Sequence, residues 1–390
     1  MQKRVLAGVV LLAVLLALIF AFYPGNSQEI NLSTGAGISK MLRYENAQVY
    51  LFGETHRCTE YQQFRNALFQ YFVKEKGVRV LVEESGYATA FLENETVQGR
   101  LSFSDWLDRC TLSKEDYELY SWIADWNSGR DAAEKISIIG IDITDDVGNI
   151  QTLCQYLLKN HDFSSADTQT QWLLTAIREQ NPFSSLQLQT FQEKFLPQLA
   201  ELYQTKPKQL ETVLGTQTAC LERALLGWEE AQEQQRLKGE TEQLGGPGDV
   251  YRESCLYENF MWEYQQKPDA KYYGQFGGAH VLMSDYSGKL YRVQNSFVSR
   301  LAEIGSLLNG KLTVVDGCLT FEIGDLGGTG TNRATLYRTA RARPPVRNRN
   351  KFYTDGSAPD AGYAQYVLLF EHPDALTAAK EYTGSYWKYH

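Results

Sequence analysis

The strongest constraint on this chain is a series of short apolar runs that each stop at an ionisable group. The first is read most completely in Val49 to Glu60, VYLFGETHRCTE, where four apolar residues end in Gly53 and Glu54, His56 and Glu60 follow at once. The next run gives Glu83 and Glu84, a third gives Asp142 in IIGIDITDD, and a fourth gives Gly277, Gly278 and His280 in YGQFGGAH. In an open α/β sheet the loops diverge and ligands bind beyond the carboxyl ends of the strands. Groups far apart in sequence are therefore expected to meet at one rim. Strand ends are often polar for solubility alone, but four in succession, carrying two of the five histidines, point to a shared site.

The spacing predicts strands at Val49 to Phe52, Val78 to Val82, Ile136 to Ile141, Tyr272 to Phe276, Leu312 to Val315 and Gln365 to Phe370. Helical patterns lie between most of them. After the first strand Phe64, Leu68, Tyr71 and Phe72 recur at helical spacing, with Thr59 placed to cap the helix. This alternation predicts an α/β fold: a mainly parallel central sheet with helices on both faces. Residues 151 to 245 break the rhythm, being rich in Gln, Leu and Glu, and read as a helical insertion. Gln243 to Asp249, QLGGPGD, reads as the joint that returns the chain to the sheet. Ser27 to Ala47 reads as a surface lead-in.

Residues 1–27 are separable from the domain at 28–390. Lys3 and Arg4 precede an uncharged run from Val5 to Tyr23, which Pro24 and Gly25 end. Such a run is a signal peptide or a single membrane-spanning anchor, and the basic residues before it place the bulk of the protein outside the membrane. The expected location is the outer face of the cell membrane or the exterior. A net charge of −9 excludes a basic stripe for nucleic acid, so the expected partner is a small molecule, neutral or cationic, met by a monomer. Cys58, Cys110, Cys154, Cys220, Cys255 and Cys318 show no C-x-x-C spacing, which argues against a thiolate zinc site and leaves any pairing open.

The motifs resemble the erythromycin esterase-like proteins, a group that belongs with the ChaN-like haem-binding lipoproteins and the TraB/Tiki proteins. The resemblance rests on G-E-x-H with a glutamate four positions on (Gly53, Glu54, His56, Glu60), Glu83-Glu84 at a strand end, and G-x-D at Gly140 to Asp142. R-E-x-x-x-x-x-N at Arg252 to Asn259 and G-G-x-H at Gly277 to His280 complete it. It implies a metal-independent hydrolase, with no cofactor, in which His56 activates water against a lactone or ester. Glu54 and Glu83 or Glu84 would be its carboxylates and His280 the second histidine. Esterases of this group usually read G-E-x-x-H. The shorter G-E-x-H here is nearer to the ChaN-like spelling and keeps a haem-binding alternative in view.

The chemistry also follows from residue type. Histidine is ordinarily poised near neutrality, and a neighbouring carboxylate holds its tautomer and stabilises the imidazolium that forms. Glu54 or Glu84 suits that role for His56, and His280 suits an acid or an oxyanion donor. Glu60, Asp142 and Arg252 are candidates for substrate contact, Arg252 as a clamp for a carboxylate or as an ion-pair partner of a site glutamate. The chemical rival is a metal held by Glu54, His56, Glu84 and His280, in the manner of the Tiki proteins. Trp106, Trp122 and Trp126 are candidates to wall a pocket or to fill the core. Cys58 beside His56 reads as buried or paired, with a nucleophile as the lesser alternative.

Overall fold

This computed structural model describes residues 27–107, 110–143, 147–181, 184–239, 245–287, 292–303, 305–317, 329–338, 364–370 and 376–380. The apolar run Val5 to Tyr23, Asp145 and Asp146, Cys318 and the terminal His390 lie outside them.

The six expected strands form the parallel body of the sheet. They are β2 (Val49–Glu54), β3 (Val80–Gly86), β4 (Ser137–Asp142), β5 (Tyr272–Gly277), β8 (Leu312–Asp316) and β10 (Tyr366–Leu369). Two further strands, β1 (Ser27–Asn31) and β9 (Arg333–Arg338), extend one edge antiparallel, giving the order β1-β9-β10-β8-β2-β5-β3-β4. A small hairpin of β6 (Tyr286–Ser287) and β7 (Arg292–Val293) stands apart. The expected surface lead-in is thus corrected. Ser27–Asn31 is a strand, and Ile38–Leu42 a short helix that buries Ile38, Met41 and Leu42. SQEIN was illegible because an edge strand buries few side chains and needs little apolar signal.

Alternation along each strand divides the core in two. Tyr50 and Phe52 of β2 face one cluster with Phe64, Leu68 and Phe69, while Val49 and Leu51 face another with Leu256, Phe260 and Phe297. Helix Thr59–Tyr71 covers the first face and helix Pro247–Gln266 the second. Burying each such Leu, Val or Phe contributes about 1.5–3 kcal/mol. The runs are therefore apolar throughout, as strands covered on both faces require.

Thr59 does not cap its helix. The cap position is Cys58, and the Thr59 hydroxyl donates instead to the Ala378 carbonyl at 3.2 Å. Between β4 and β5 the described residues hold helices and no strand, from Val147–Leu158 through the long Thr218–Lys238 to Pro247–Gln266. Pro247 opens the last of these at a position where its missing N–H costs nothing. Trp106, Trp122 and Trp126 pack on the first core, with Trp122 against Phe69 and Trp126 at 5.6 Å, so they serve as packing rather than a pocket wall.

Candidate active site

Four chain segments meet at the carboxyl rim of the parallel body. Gly53 pairs with Asp316, Glu54 with Gly277 and Glu83 with Gln275, so β2, β5 and β3 end side by side. Two glycines let them close on one another. A Cβ on Gly53 would stand 2.4 Å from Val281 Cγ2, so only glycine admits the tight turn Gly278–Val281 that carries His280. A Cβ on Gly277 would stand 2.7 Å from His56 Nε2, so the second glycine admits His56 itself.

The two imidazoles share one carboxylate. Glu84 Oε2 lies 3.5 Å from His56 Nε2, and Glu84 Oε1 lies 3.1 Å from His280 Nε2. Glu84 also accepts hydrogen bonds from the Gly277 backbone N–H at 2.5 Å and from Arg252 Nη2 at 2.8 Å. Arg252 is held in turn by Asp142, through Nε at 2.9 Å and through Nη2. Burial alone would raise the Glu84 carboxyl. The charges of His280, His56 and Arg252 overcome it and hold the group well below the usual carboxylate range.

The histidines differ in setting. His56 is 58% exposed, with Nδ1 at 3.4 Å from Glu54 Oε1, and that hydrogen bond raises it above the ordinary histidine value against the effect of burial. The next residue, Arg57, takes a left-handed φ of 60°, which is uncommon for a side chain of its size. His280 is 12% exposed and held between Glu84 on Nε2 and Glu253 on Nδ1. Burial would depress it, but the two carboxylates more than reverse this and favour the imidazolium form. Glu253 is fixed by accepting the Phe297 backbone N–H at 2.8 Å. The rim therefore presents one accessible imidazole and one sequestered cation.

No protein-family profile and no curated protein matches the chain, and the comparison that succeeds is with solved structures. A protein from Bacillus cereus superposes with a TM-score of 0.57 at 15% identity, covering 94% of this chain and 99% of its own. A histidine-to-asparagine mutant of erythromycin esterase EreC in its open conformation gives 0.58 at 13% identity, covering 91% and 98%. The chain has the erythromycin esterase fold. A succinoglycan biosynthesis protein shares it with a TM-score of 0.53, at 17% identity over 77% of this chain and 75% of its own.

Within the erythromycin esterase fold the rim gathers Glu54, His56, Glu84, His280, Asp142 and Arg252. Glu83 goes elsewhere: its oxygens lie 3.1 and 3.2 Å from the buried Tyr120 hydroxyl, beside Glu93. Glu60 also turns away. It accepts from the Thr377 N–H at 2.9 Å and the Thr377 hydroxyl at 3.0 Å, which pins residues 376–380 to the loop after β2. Asp142 reaches the site through Arg252, its ion-pair partner. Cys58 is buried and free, and burial pushes its thiol up to about 12, so it is no thiolate nucleophile. Cys154, Cys220 and Cys255 are free as well.

The sequence reading missed Glu253, Arg65 and Asp116. Arg65 is buried, 3.7 Å from Glu54 Oε2 and 2.6 Å from Asp116. Its signal was present: an arginine on the same helix as the buried Phe64, Leu68 and Phe69 needs a buried partner. Glu253 stood beside Arg252 in the R-E motif. The metal set Glu54, His56, Glu84 and His280 does not fit an ion. Among the described residues no three His, Cys, Asp or Glu side chains are grouped to hold one. Glu84, which would be the central ligand, already accepts from Arg252, whose fixed charge would repel a cation.

Proposed function

We propose that the protein is a hydrolase that cleaves an ester, lactone or related carbonyl bond with water activated by His56. The observation that carries this reading is the single carboxylate, Glu84, in contact with an exposed imidazole on one oxygen and a largely enclosed imidazolium on the other. Glu54 accepts from Nδ1 of His56 and leaves Nε2 as the base. As the water oxygen adds to the carbonyl carbon, Nε2 takes its proton and the carbonyl electron pair moves to oxygen. The charges of His280 and Arg252 favour that negative charge. Collapse of the adduct expels the alkoxide, which recovers the proton from His56. Glu54 thus orients the base, and Glu84 couples it to the fixed cations. The erythromycin esterase fold supports this class of reaction without naming the substrate.

The uncharged run after Lys3 and Arg4 supports an extracytoplasmic hydrolase, exported or anchored by its N-terminus. Among the described residues no helix is long and apolar enough to cross a membrane, so this topology rests on Val5 to Tyr23 alone. Fractionation that found the folded part on the cytoplasmic side would refute it.

The test of the activity is a panel of activated esters and macrolide lactones, with and without chelator. Chelator-insensitive turnover that His56→Ala abolishes while ligand affinity persists is the expected result. Turnover of no ester, with a Soret shift on adding haem, would replace the hydrolase by a binding protein.

A further inference from the structure

Glu83 and Glu84 are consecutive, yet they serve different neighbourhoods. Glu84 reaches the Pro247–Gln266 helix at the rim, whereas Glu83 reaches the helices Tyr87–Val97 and Lys114–Asn127 through Glu93 and Tyr120. The proposed mechanism uses neither Glu83 nor Glu93, although both are buried. Buried carboxyl groups without a task are costly, so a pair of them calls for an explanation.

The Tyr120 hydroxyl lies 3.0 Å from Glu93 Oε1 and 3.1 Å from Glu83 Oε1. A phenol has one proton to give and serves one carboxyl group with it. The other contact is oxygen against oxygen unless that carboxyl is protonated and donates to the phenol. Glu83 and Glu93 stand on the same phenol oxygen, close enough for each to act on the other, and two ionised groups there would repel. Glu93 Oε2 is buried without a donor, and a proton there would turn it from an orphaned acceptor into a donor.

Facing the pair are Arg65 from helix Thr59–Tyr71, Asp116 and Tyr120 from helix Lys114–Asn127, and Gln275 from β5, whose amide is 3.5 Å from Glu83. Arg65 is already committed to Asp116 and Glu54.

We propose that Glu83 and Glu93 hold one proton between them and that this shared proton positions Glu84, an inference that rests on the hydrolase reading above. The link is the end of β3. Its pairing with β4 shifts between Glu83 and Gly86, and Gly140 admits that irregularity, since a Cβ there would lie 2.5 Å from the Ser85 carbonyl. Helix Tyr87–Val97 starts one residue later, so the Glu83–Glu93 pair, bridged by Tyr120, links the strand end to the helix that follows it. Burial raises both groups, Glu93 further because Glu83 stands beside it. When the proton leaves, repulsion parts the two side chains, and the strand end that aims Glu84 at His56 and His280 loses its tie. Glu93 is thus a positioning residue.

The experiment compares the full-length wild type with Glu93→Gln and Glu83→Gln, in each of which an amide stands in for the protonated carboxyl and the pair keeps a single negative charge at neutral and alkaline pH. Infrared spectroscopy of Glu-labelled protein should show a protonated carboxyl stretch at neutral pH that is missing from each variant. On an ester substrate, each variant should keep kcat/KM within about threefold of wild type at neutral pH. Each should also lack an alkaline loss of activity that the wild type shows. Ring signals of His56 and His280 followed by NMR should show an alkaline inflection in the wild type and none in the variants. Absence of the carboxyl stretch, or an alkaline limb and inflection unchanged in both variants, overturns the shared proton. If no ester is turned over, the hydrolase reading fails, while the infrared and NMR measurements still decide the proton.

Discussion

Gly277→Ala isolates the approach of His56 to the shared carboxylate. Gly277 has a φ of −52°, so alanine meets no backbone penalty, and the new methyl meets one principal obstacle, His56 Nε2 at 2.7 Å. Ordinary contact begins at 3.4 Å, so the ring must retreat by roughly 0.7 Å. His56 is more than half exposed and can swing outward, so the stability cost belongs near or below the lower end of the 1–3 kcal/mol typical of overpacking, about 1 kcal/mol. The catalytic cost should be far larger. A displacement near 1 Å loses on the order of 10²-fold in rate when proton transfer depends on the position of the base. The assay is kcat/KM on the best ester of the panel, set beside urea denaturation of the same preparations. Activity within threefold of wild type, or a stability loss that accounts for the lost activity, would refute the role given to His56. Gly53→Ala provides the contrast: its methyl meets buried Val281 and the Gly278 backbone, so stability should fall by about 1–3 kcal/mol.

Glu54→Gln removes the hydrogen bond that raises His56, so the acid limb of kcat/KM should move to lower pH while the plateau falls by about 10²-fold or more; an acid limb that stays in place contradicts the Glu54–His56 pairing. Arg252→Met strands Asp142 and Glu84 without their cation and should cost about 3–5 kcal/mol by urea denaturation. Because Glu84 is depressed in the folded state, the stability it contributes is present above its ordinary value and lost as pH falls through the depressed one. Acid unfolding of the variant should therefore begin at higher pH, which circular dichroism would read. Cys58→Ser should leave turnover unchanged, and iodoacetamide at pH 8 should not inactivate the wild type, since the thiol is buried and pushed up to about 12.

The parallel body was legible because strands buried on both faces must be apolar throughout, and short runs of that kind recur between helical patterns after Tyr23. The convergence of Glu54, His56, Glu84 and His280 followed from the strand-end rule without any contiguous motif. What escaped depended on side-chain direction or on distant partners. Glu83 and Glu84 were inseparable because the irregular end of β3 breaks the alternation that would have sorted them. Glu60 looked like a site residue because Thr377, its partner, lies 317 positions away. Arg65 and Glu253 sit on the buried sides of helices whose apolar periodicity gives no sign of a charge among the packed positions.

The antiparallel edge has a bearing on presentation. β1 pairs antiparallel with β9, and β9 with β10, so β1 runs in the same sense as the parallel body, and the register from Ser27 through Tyr337, Val367 and Asp316 to Gly53 sets Ser27 level with the rim. Four strand spacings separate β1 from β2, about 19 Å sideways. The chain therefore joins the sheet level with the mouth and to one side of it, so whatever Ser27 is tied to is held beside the approach to His56 and not behind the sheet.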